Sequence, residues 1–400
     1  MSGSSINRYA AIPFEREAIA QRRLDIVGSR RNNALPWRGQ FSPDLIAALF
    51  EAYPPKGLVV DPFCGSGTTL VEAAHAGQES HGVEVNPAAF ILANLYSLCA
   101  ESTASRLEEL KDLEARLKVD DSASGAAEEL AEWTLQLSDA AERRVMEAVF
   151  LLTLGNGDQV TAPKLEKSFR QVASLVEQLP GGVVSVSAEL GDARSISLPD
   201  HSAAMVLTSP PYVNVFNYHQ NYRKAAEFLG WEILPAARAE FGSNRKHRQN
   251  RFLTVIQYAQ DIGEALCESK RVVEPGGMSI WVVGRESNVR GEPIPNPEIV
   301  FEMATRGAGL DLVEKHERKF RSRYGALVYE DIMMFRHPVD DPGVISCDIA
   351  ALGREVGVSV LSQLGETGGV VAEEVSAAIA SCDKVNPSQI PEFSNGMALV

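Results

Sequence analysis

Cysteine is scarce in this chain, and what there is shows no arrangement for a shared task. The five residues Cys64, Cys99, Cys267, Cys347 and Cys382 are odd in number, scattered, and never spaced as Cys-x-x-Cys. Neither a disulfide framework nor a zinc site is expected, and free thiols are the default. No apolar run reaches the roughly 18 to 20 residues that a membrane helix requires. The opening MSGSSINRYA lacks the charged-then-apolar layout of a secretory signal, so a cytoplasmic protein with no membrane partner is expected. What remains is an ordinary globular balance. Its 400 residues, 45% hydrophobic and 23% charged, suffice for one large or two modest domains.

A net charge of -15 argues against a polyanionic partner only if it is evenly spread, and it is not. Residues 101–150 carry 13 acidic and 6 basic side chains, and residues 340–400 carry 9 and 2. The rest is almost neutral. Within it Arg8, Arg16, Arg22, Arg23, Arg30, Arg31 and Arg38 crowd the first 40 residues, and Arg245, Lys246, Arg248 and Arg251 form a second cluster.

Apolar runs ending in turn residues mark strands at 56–63, 79–86, 182–192, 203–212 and 278–284, and two further runs at 310–320 and 326–337 predict a closing hairpin. Helical patterns follow the first two strands, which predicts a parallel α/β sheet. Leu107, Leu110, Leu113 and Leu117 recur at helical spacing. The expected organisation is an N-terminal arm and first half (1–100), a helical insertion (101–180), a second half (181–338) and a loosely attached acidic tail (339–400).

The first strand runs into Asp61-Pro62-Phe63-Cys64-Gly65-Ser66-Gly67-Thr68-Thr69, at the place where a doubly wound sheet binds its ligand. Gly65 and Gly67 allow a tight turn and a close backbone approach that a Cβ would block. Glu84 ends the next strand, where a carboxylate can accept both ribose hydroxyl hydrogens of an adenosine. No Gly-Lys-Ser/Thr follows the glycines, which disfavours a phosphate-cradling loop. An adenosine without phosphates fits.

Ser209-Pro210-Pro211-Tyr212 follows a later strand. Its prolines fix the backbone and remove two donors, leaving carbonyls to face a ligand. Such a loop suits an exocyclic amino group, whose lone pair is delocalised into its ring until its hydrogens are accepted. Asn214, Tyr218, Tyr222 and Arg223 lie just beyond, able to read base edges, stack or bind phosphate. Arg245, Lys246 and Arg248 suit a clamp on a nucleic-acid backbone. His219 lacks a second ligand, and no metal is expected.

DPFCGSGTT, GVEVNP, LGDAR and TSPPY together resemble the amino-group DNA methyltransferases, most closely the bacterial cytosine-N4 group with Ser-Pro-Pro-Tyr. The resemblance covers about residues 34–100 and 181–338. It implies a class I methyltransferase fold, Rossmann-like, with a mostly parallel seven-stranded sheet. It also implies S-adenosylmethionine as cofactor, held by Gly39, Phe41, Ser42, Asp61, Phe63, Cys64, Gly65, Gly67, Thr68, Glu84 and Asp192. By the resemblance Asp61, Cys64, Gly65 and Gly67 surround the methionine part, Glu84 the ribose, and Asp192 the adenine amino group. Ser209, Pro210, Pro211 and Tyr212 become catalytic, acting on a flipped base without a covalent intermediate. DNA is the implied partner, with a restriction endonuclease or a specificity subunit as a further one. Adenine-N6 members usually carry Asp or Asn at the Ser209 position, which favours cytosine; adenine stands as an alternative target, as does guanine N2 of RNA. The usual places of a target-recognition domain are not convincingly filled; the helical insertion and another subunit stand as alternatives, and the 213–252 loop is expected to supply a short specificity.

Overall fold

In the computed structural model the apolar runs become the strands of one sheet. The structure describes residues 7–27, 31–117, 126–182, 184–214, 217–243, 247–321, 325–340, 347–364 and 370–393. The strands are β1 (Val59–Asp61), β2 (Ser80–Glu84), β3 (Val186–Leu190), β4 (Ala203–Thr208), β5 (Val273–Gly284), β6 (Glu286–Val289), β7 (Glu292–Pro295), β8 (Asp311–Arg321) and β9 (Leu327–Arg336). Seven of them pair in the order β3-β2-β1-β4-β5-β9-β8, while β6 and β7 form a separate ribbon. The first five are parallel, β9 runs antiparallel to β5, and β8, antiparallel to β9, runs again in the direction of the first five. This is the class I methyltransferase arrangement. The chain builds outward from β1 to β3, then crosses to β4, so the topological switch point lies between β1 and β4. Ligands bind outside the carboxyl ends of strands at such a point.

Local chemistry explains where helices begin. Pro87 occupies the first turn of the Pro87–Asn94 helix, and the Asn86 side chain caps it by accepting from Ala88 N at 2.9 Å. Four helices, Thr103–Arg116, Ala126–Gln136, Ala140–Leu154 and Ala162–Gln178, form the insertion ahead of β3. Leu110 and Leu113 of the leucine stripe are buried, and Val149, Phe150 and Leu151 share a core with Ile91 and Leu92. The buried Arg106 ties entry to exit: its guanidinium donates to the carbonyls of Leu98, Leu179 and Pro180 at 3.2, 2.8 and 3.1 Å.

The described part of the acidic tail is not loosely attached, contrary to the expectation from its charge. The Ile349–Leu364 helix packs along Leu253–Val272, burying Val356, Val360 and Leu361 in the core beneath the sheet. Acids such as Glu355 and Glu373 lie outside that buried stripe, so a net-charge count hides an amphipathic helix. Gly353 and Gly357 permit the approach: a Cβ at Gly357 would lie 2.7 Å from Ile256 Cα.

A mid-helix Gly→Ala exchange ordinarily stabilises by about 1 kcal/mol. Gly357→Ala is expected instead to destabilise by about 1–3 kcal/mol through overpacking, read by thermal melting of the full chain. A raised melting temperature contradicts the docked tail.

Candidate active site

A cavity of about 400 Å³ opens at the carboxyl ends of β1 and β4, within the range of small-molecule sites. Its floor is built on Asp61. One carboxylate oxygen accepts from Thr208 Oγ1 at 2.6 Å and Phe63 N at 3.1 Å, and the other accepts from Thr69 Oγ1 at 2.6 Å. Burial pushes the Asp61 carboxyl up to about 6, against the pull of these donors. The strand before Ser209 and the helix after the glycine turn are thereby pinned to one side chain.

Gly65 adopts φ +54°, and its N–H donates to Glu84 Oε2 at 2.9 Å. Glu84 Oε1 accepts from Asn86 N at 2.7 Å. Glu84 therefore braces the glycine turn as well as facing the cavity, a role the motif alone does not reveal. Burial pushes its carboxyl up to about 7. Gly67, at φ +85°, does not line the cavity. Its glycine is required by packing, since a Cβ would lie 2.7 Å from the Tyr96 ring. The Cys64 thiol is buried and held well above its usual value, chiefly by burial and then by Glu84 and Asp61, which keeps it protonated and unreactive.

Gly39, Phe41, Ser42, Phe63, Thr68 and Asp192 all line the cavity. Ser42 begins the Pro43–Ala52 helix but does not cap it, and its buried Oγ has no hydrogen-bond partner among the described residues. The buried Nδ2 of Asn86, also on the wall, is in the same position. Buried polar atoms without partners are costly, and both fit a polar ligand. Asp192 is gripped by Arg194, whose Nε and Nη2 donate to its two oxygens at 2.8 and 2.7 Å.

The Ser209–Tyr212 loop forms the far end of the cavity. Ser209 Oγ donates to Val282 O at 2.9 Å. The Tyr212 ring lies on Gly284, where a Cβ would come within 2.5 Å of it, and its hydroxyl donates to Glu330 Oε1 at 3.2 Å. Glu330 in turn pairs with Arg318 at 3.4 Å, and the Arg318 guanidinium stacks 4.6 Å from the centre of the Phe320 ring. Sequence reasoning misses Arg318, Phe320 and Glu330. Arg318 and Glu330 are register partners across the β8–β9 hairpin, with Phe320 two residues on, so alternation in HERKFR is the available signal. It misses Glu240 and Phe241 too. Glu240 accepts from His219 N at 2.6 Å and meets His219 Nδ1 at 2.8 Å, which gives the histidine a structural task.

Of the residues expected to meet nucleic acid, Tyr218 lines the cavity against Gly39. Asn214, Tyr222 and Arg223 do not line it. Asn214 Nδ2 donates to Asn288 O, Tyr222 stacks on Trp37 and donates to Pro36 O at 3.1 Å, and Arg223 pairs with Glu227. Arg248 is exposed, whereas Arg245 and Lys246 lie outside the described residues. In the N-terminal cluster Arg8 pairs with Glu302, Arg16 with Glu317, Arg23 with Glu51, and Arg31 with both Asp44 and Glu72. All five cysteines are free thiols. Among the described residues no cluster of three or more His, Cys, Asp or Glu could hold a metal ion, and no helix is long and apolar enough to cross a membrane.

Residues 26–94, which carry β1, the glycine turn and β2, match the model of the N6_N4_Mtase family, described as DNA methylase. Over 53 residues the chain is 38% identical to the Type II methyltransferase M.MjaII of Methanocaldococcus jannaschii. That match spans 13% of this chain and about a tenth, 10%, of the relative. Similar solved structures include a SAM-dependent methyltransferase of Methanosarcina mazei, at 13% identity and TM-score 0.34, covering 73% of this chain and 98% of that one. Another is TrmN of Thermus thermophilus, at 14% identity and TM-score 0.32, covering 75% and 50%. The strand order and the glycine turn define a class I methyltransferase fold, and the cavity lies at its topological switch point.

Burial raises the Glu84 carboxyl, so the folded chain binds that proton more tightly than the unfolded chain. The associated stability is full below the ordinary value of 4.5 and is lost as pH rises through about 7. The ligand-free protein is expected to melt at progressively lower temperature over that interval, and Glu84→Gln to flatten the slope. An unchanged slope in the variant contradicts the assignment.

Proposed function

We propose that the protein transfers the methyl group of S-adenosylmethionine to an exocyclic amino group of DNA, with cytosine N4 as its target. One observation carries the reading: the glycine turn and the Ser209–Tyr212 loop open into a single cavity and are joined through Asp61. The matched family, described as DNA methylase, supports DNA over RNA as substrate.

The residues divide the work by position. Glu84 keeps lone pairs for ribose hydroxyls beyond the two backbone donors it already accepts. Asp192 faces the adenine amino group, and Gly39, Phe41 and Ser42 the methionine end. Acids on the wall, Asp61, Glu84 and Glu240, suit a ligand that carries a sulfonium cation. The bound cofactor supplies an electrophilic methyl group.

Ser209 directs its own hydrogen to Val282 O, which leaves its oxygen to accept from the target amine. Pro210 offers a carbonyl and no N–H. Together they draw the amine hydrogens aside and localise its lone pair for direct attack. The base must leave the duplex to reach them, at a cost of a few kcal/mol, and stacking on an aromatic such as Tyr212 offsets about 1–3 kcal/mol of it. Buried Arg318 favours cytosine. Its guanidinium is a donor at the Tyr212 end of the cavity, and its Nε has no partner among the described residues. Cytosine presents the acceptor O2 beside N3, where adenine presents only C–H. Sequence specificity is assigned to the 213–252 segment.

Labelled S-adenosylmethionine and unmethylated DNA are expected to yield N4-methylcytosine on nucleoside analysis. Ser209→Ala should reduce it about a hundredfold or more, the scale of losing a positioned polar group in a transition state. Arg318→Met should raise the share of N6-methyladenine. N6-methyladenine alone from the wild type moves the target to adenine, and no label in DNA rejects the reading. Neutralising Arg245, Lys246 and Arg248 should weaken DNA binding and lower the slope of log affinity against log salt by about one for each phosphate that is no longer neutralised. An unchanged slope removes the clamp.

A further inference from the structure

The geometry points to the C-terminal strap 385–393 as a positioning element of the adenosine subsite, acting through Asp261 and Arg194 on Asp192. The inference rests on the cofactor reading above and adds to it a device outside the matched segments. Arg194 sits between the strap and the cavity, with its side chain only 1% exposed. Toward the cavity its fork holds both oxygens of Asp192, and its own backbone N–H donates to Asp192 Oδ1 at 3.0 Å. The Asp192 plane is thus fixed by a bidentate charged pair. Oδ1 takes two of these bonds and Oδ2 one, so Oδ2 keeps the capacity to accept an adenine amino hydrogen.

On the other side Arg194 is held by the strap. Its Nη1 donates to Ser388 O at 2.5 Å and its Nη2 to Gln389 O at 3.2 Å. The same Nη1 reaches Asp261 Oδ1 at 3.3 Å and Glu264 Oε2 at 3.4 Å. Two carboxylates therefore compete with Asp192 for one guanidinium. Ser388 moderates that competition, since its N–H donates to Asp261 Oδ1 at 2.6 Å and its hydroxyl to Asp261 Oδ2 at 2.5 Å. The strap is itself anchored along the Leu253–Val272 helix by Gln257 Nε2 to Asn386 O at 2.9 Å and Gln260 Nε2 to Val385 O at 3.1 Å. Removing the Ser388 hydroxyl takes a donor from buried Asp261, which then draws Arg194 away from Asp192. Phe241, a cavity wall residue, lies 5.1 Å from the guanidinium centre, so the displacement is felt directly in the site.

The test is equilibrium binding to the full chain of two probes, S-adenosylhomocysteine and its analogue with purine in place of adenine, which has no amino hydrogen to offer Asp192. Wild type should prefer S-adenosylhomocysteine by about tenfold or more, the scale of a hydrogen bond to a charged group. Ser388→Ala should weaken S-adenosylhomocysteine about fivefold and leave the purine analogue unchanged, and Ser388→Thr should restore the preference. Asp261→Asn takes the competing charge from Arg194; should the alanine variant lose its melting transition it is read instead, and it should raise the preference for S-adenosylhomocysteine, an equal change for both probes overturning the proposal. For Ser388→Ala, equal weakening of both probes, or of neither, overturns the proposal, because a merely structural role does not distinguish them. A wild type that binds both equally also overturns it, whereas one that binds neither rejects the cofactor reading itself.

Discussion

The carboxylate of Asp61 receives hydrogen bonds from both sides of the crevice, from Thr208 at the end of β4 and from Thr69 in the first turn of the helix after the glycines. Three donors offset the cost of burying it, and its carboxyl is still raised to about 6. The arrangement follows from topology: β1 and β4 are adjacent in the sheet although two strands and the whole helical insertion separate them in sequence. One buried side chain at the switch point therefore sets where the glycine turn and the Ser209 loop stand relative to each other.

Charge is distributed to match. The cavity wall carries Asp61, Glu84, Asp192, Glu240 and Glu330, a surrounding suited to a cationic cofactor. Side chains and backbone of the N-terminal arm are engaged in the fold. Arg16 pairs with Glu317, Glu15 N donates to Lys315 O at 2.8 Å, and Gln21 Nε2 donates to Glu317 O at 2.9 Å. These contacts lay the arm along β8, the edge of the sheet, and an edge covered in this way is protected from pairing with another chain.

What can be read from the sequence is local. Strand runs, the glycine turn, Glu84 and the Ser209–Tyr212 loop each declare themselves within a few residues, because turn chemistry and period-two or helical patterning act at that range. Asp192 and Ser42 stand on the cavity wall. What escapes depends on contacts distant in sequence. Gly67 reads as a ligand contact, and the packing need against Tyr96, where a Cβ would lie 2.7 Å from the ring, is invisible in the motif. Arg318, Phe320 and Glu330 enter the site only because the hairpin folds back beside β5. The tail, acidic on average, hides Val356, Val360 and Leu361 on one face. Residue type alone suggests nucleic-acid contacts for Tyr222 and Arg223, and says nothing of their contacts in the fold with Trp37 and Glu227.

The most direct test of the joined site is a crystal structure of the protein with S-adenosylhomocysteine and a DNA duplex. The expected result is an extruded base with its amino nitrogen hydrogen-bonded to Ser209 and the Pro210 carbonyl. That nitrogen should face the cofactor sulfur across the cavity at near-attack distance, about 3–3.5 Å from the position of a transferred methyl group. A cofactor bound away from Gly65 and Glu84, or a base that stays stacked with Ser209 unoccupied, would contradict a site joined through Asp61.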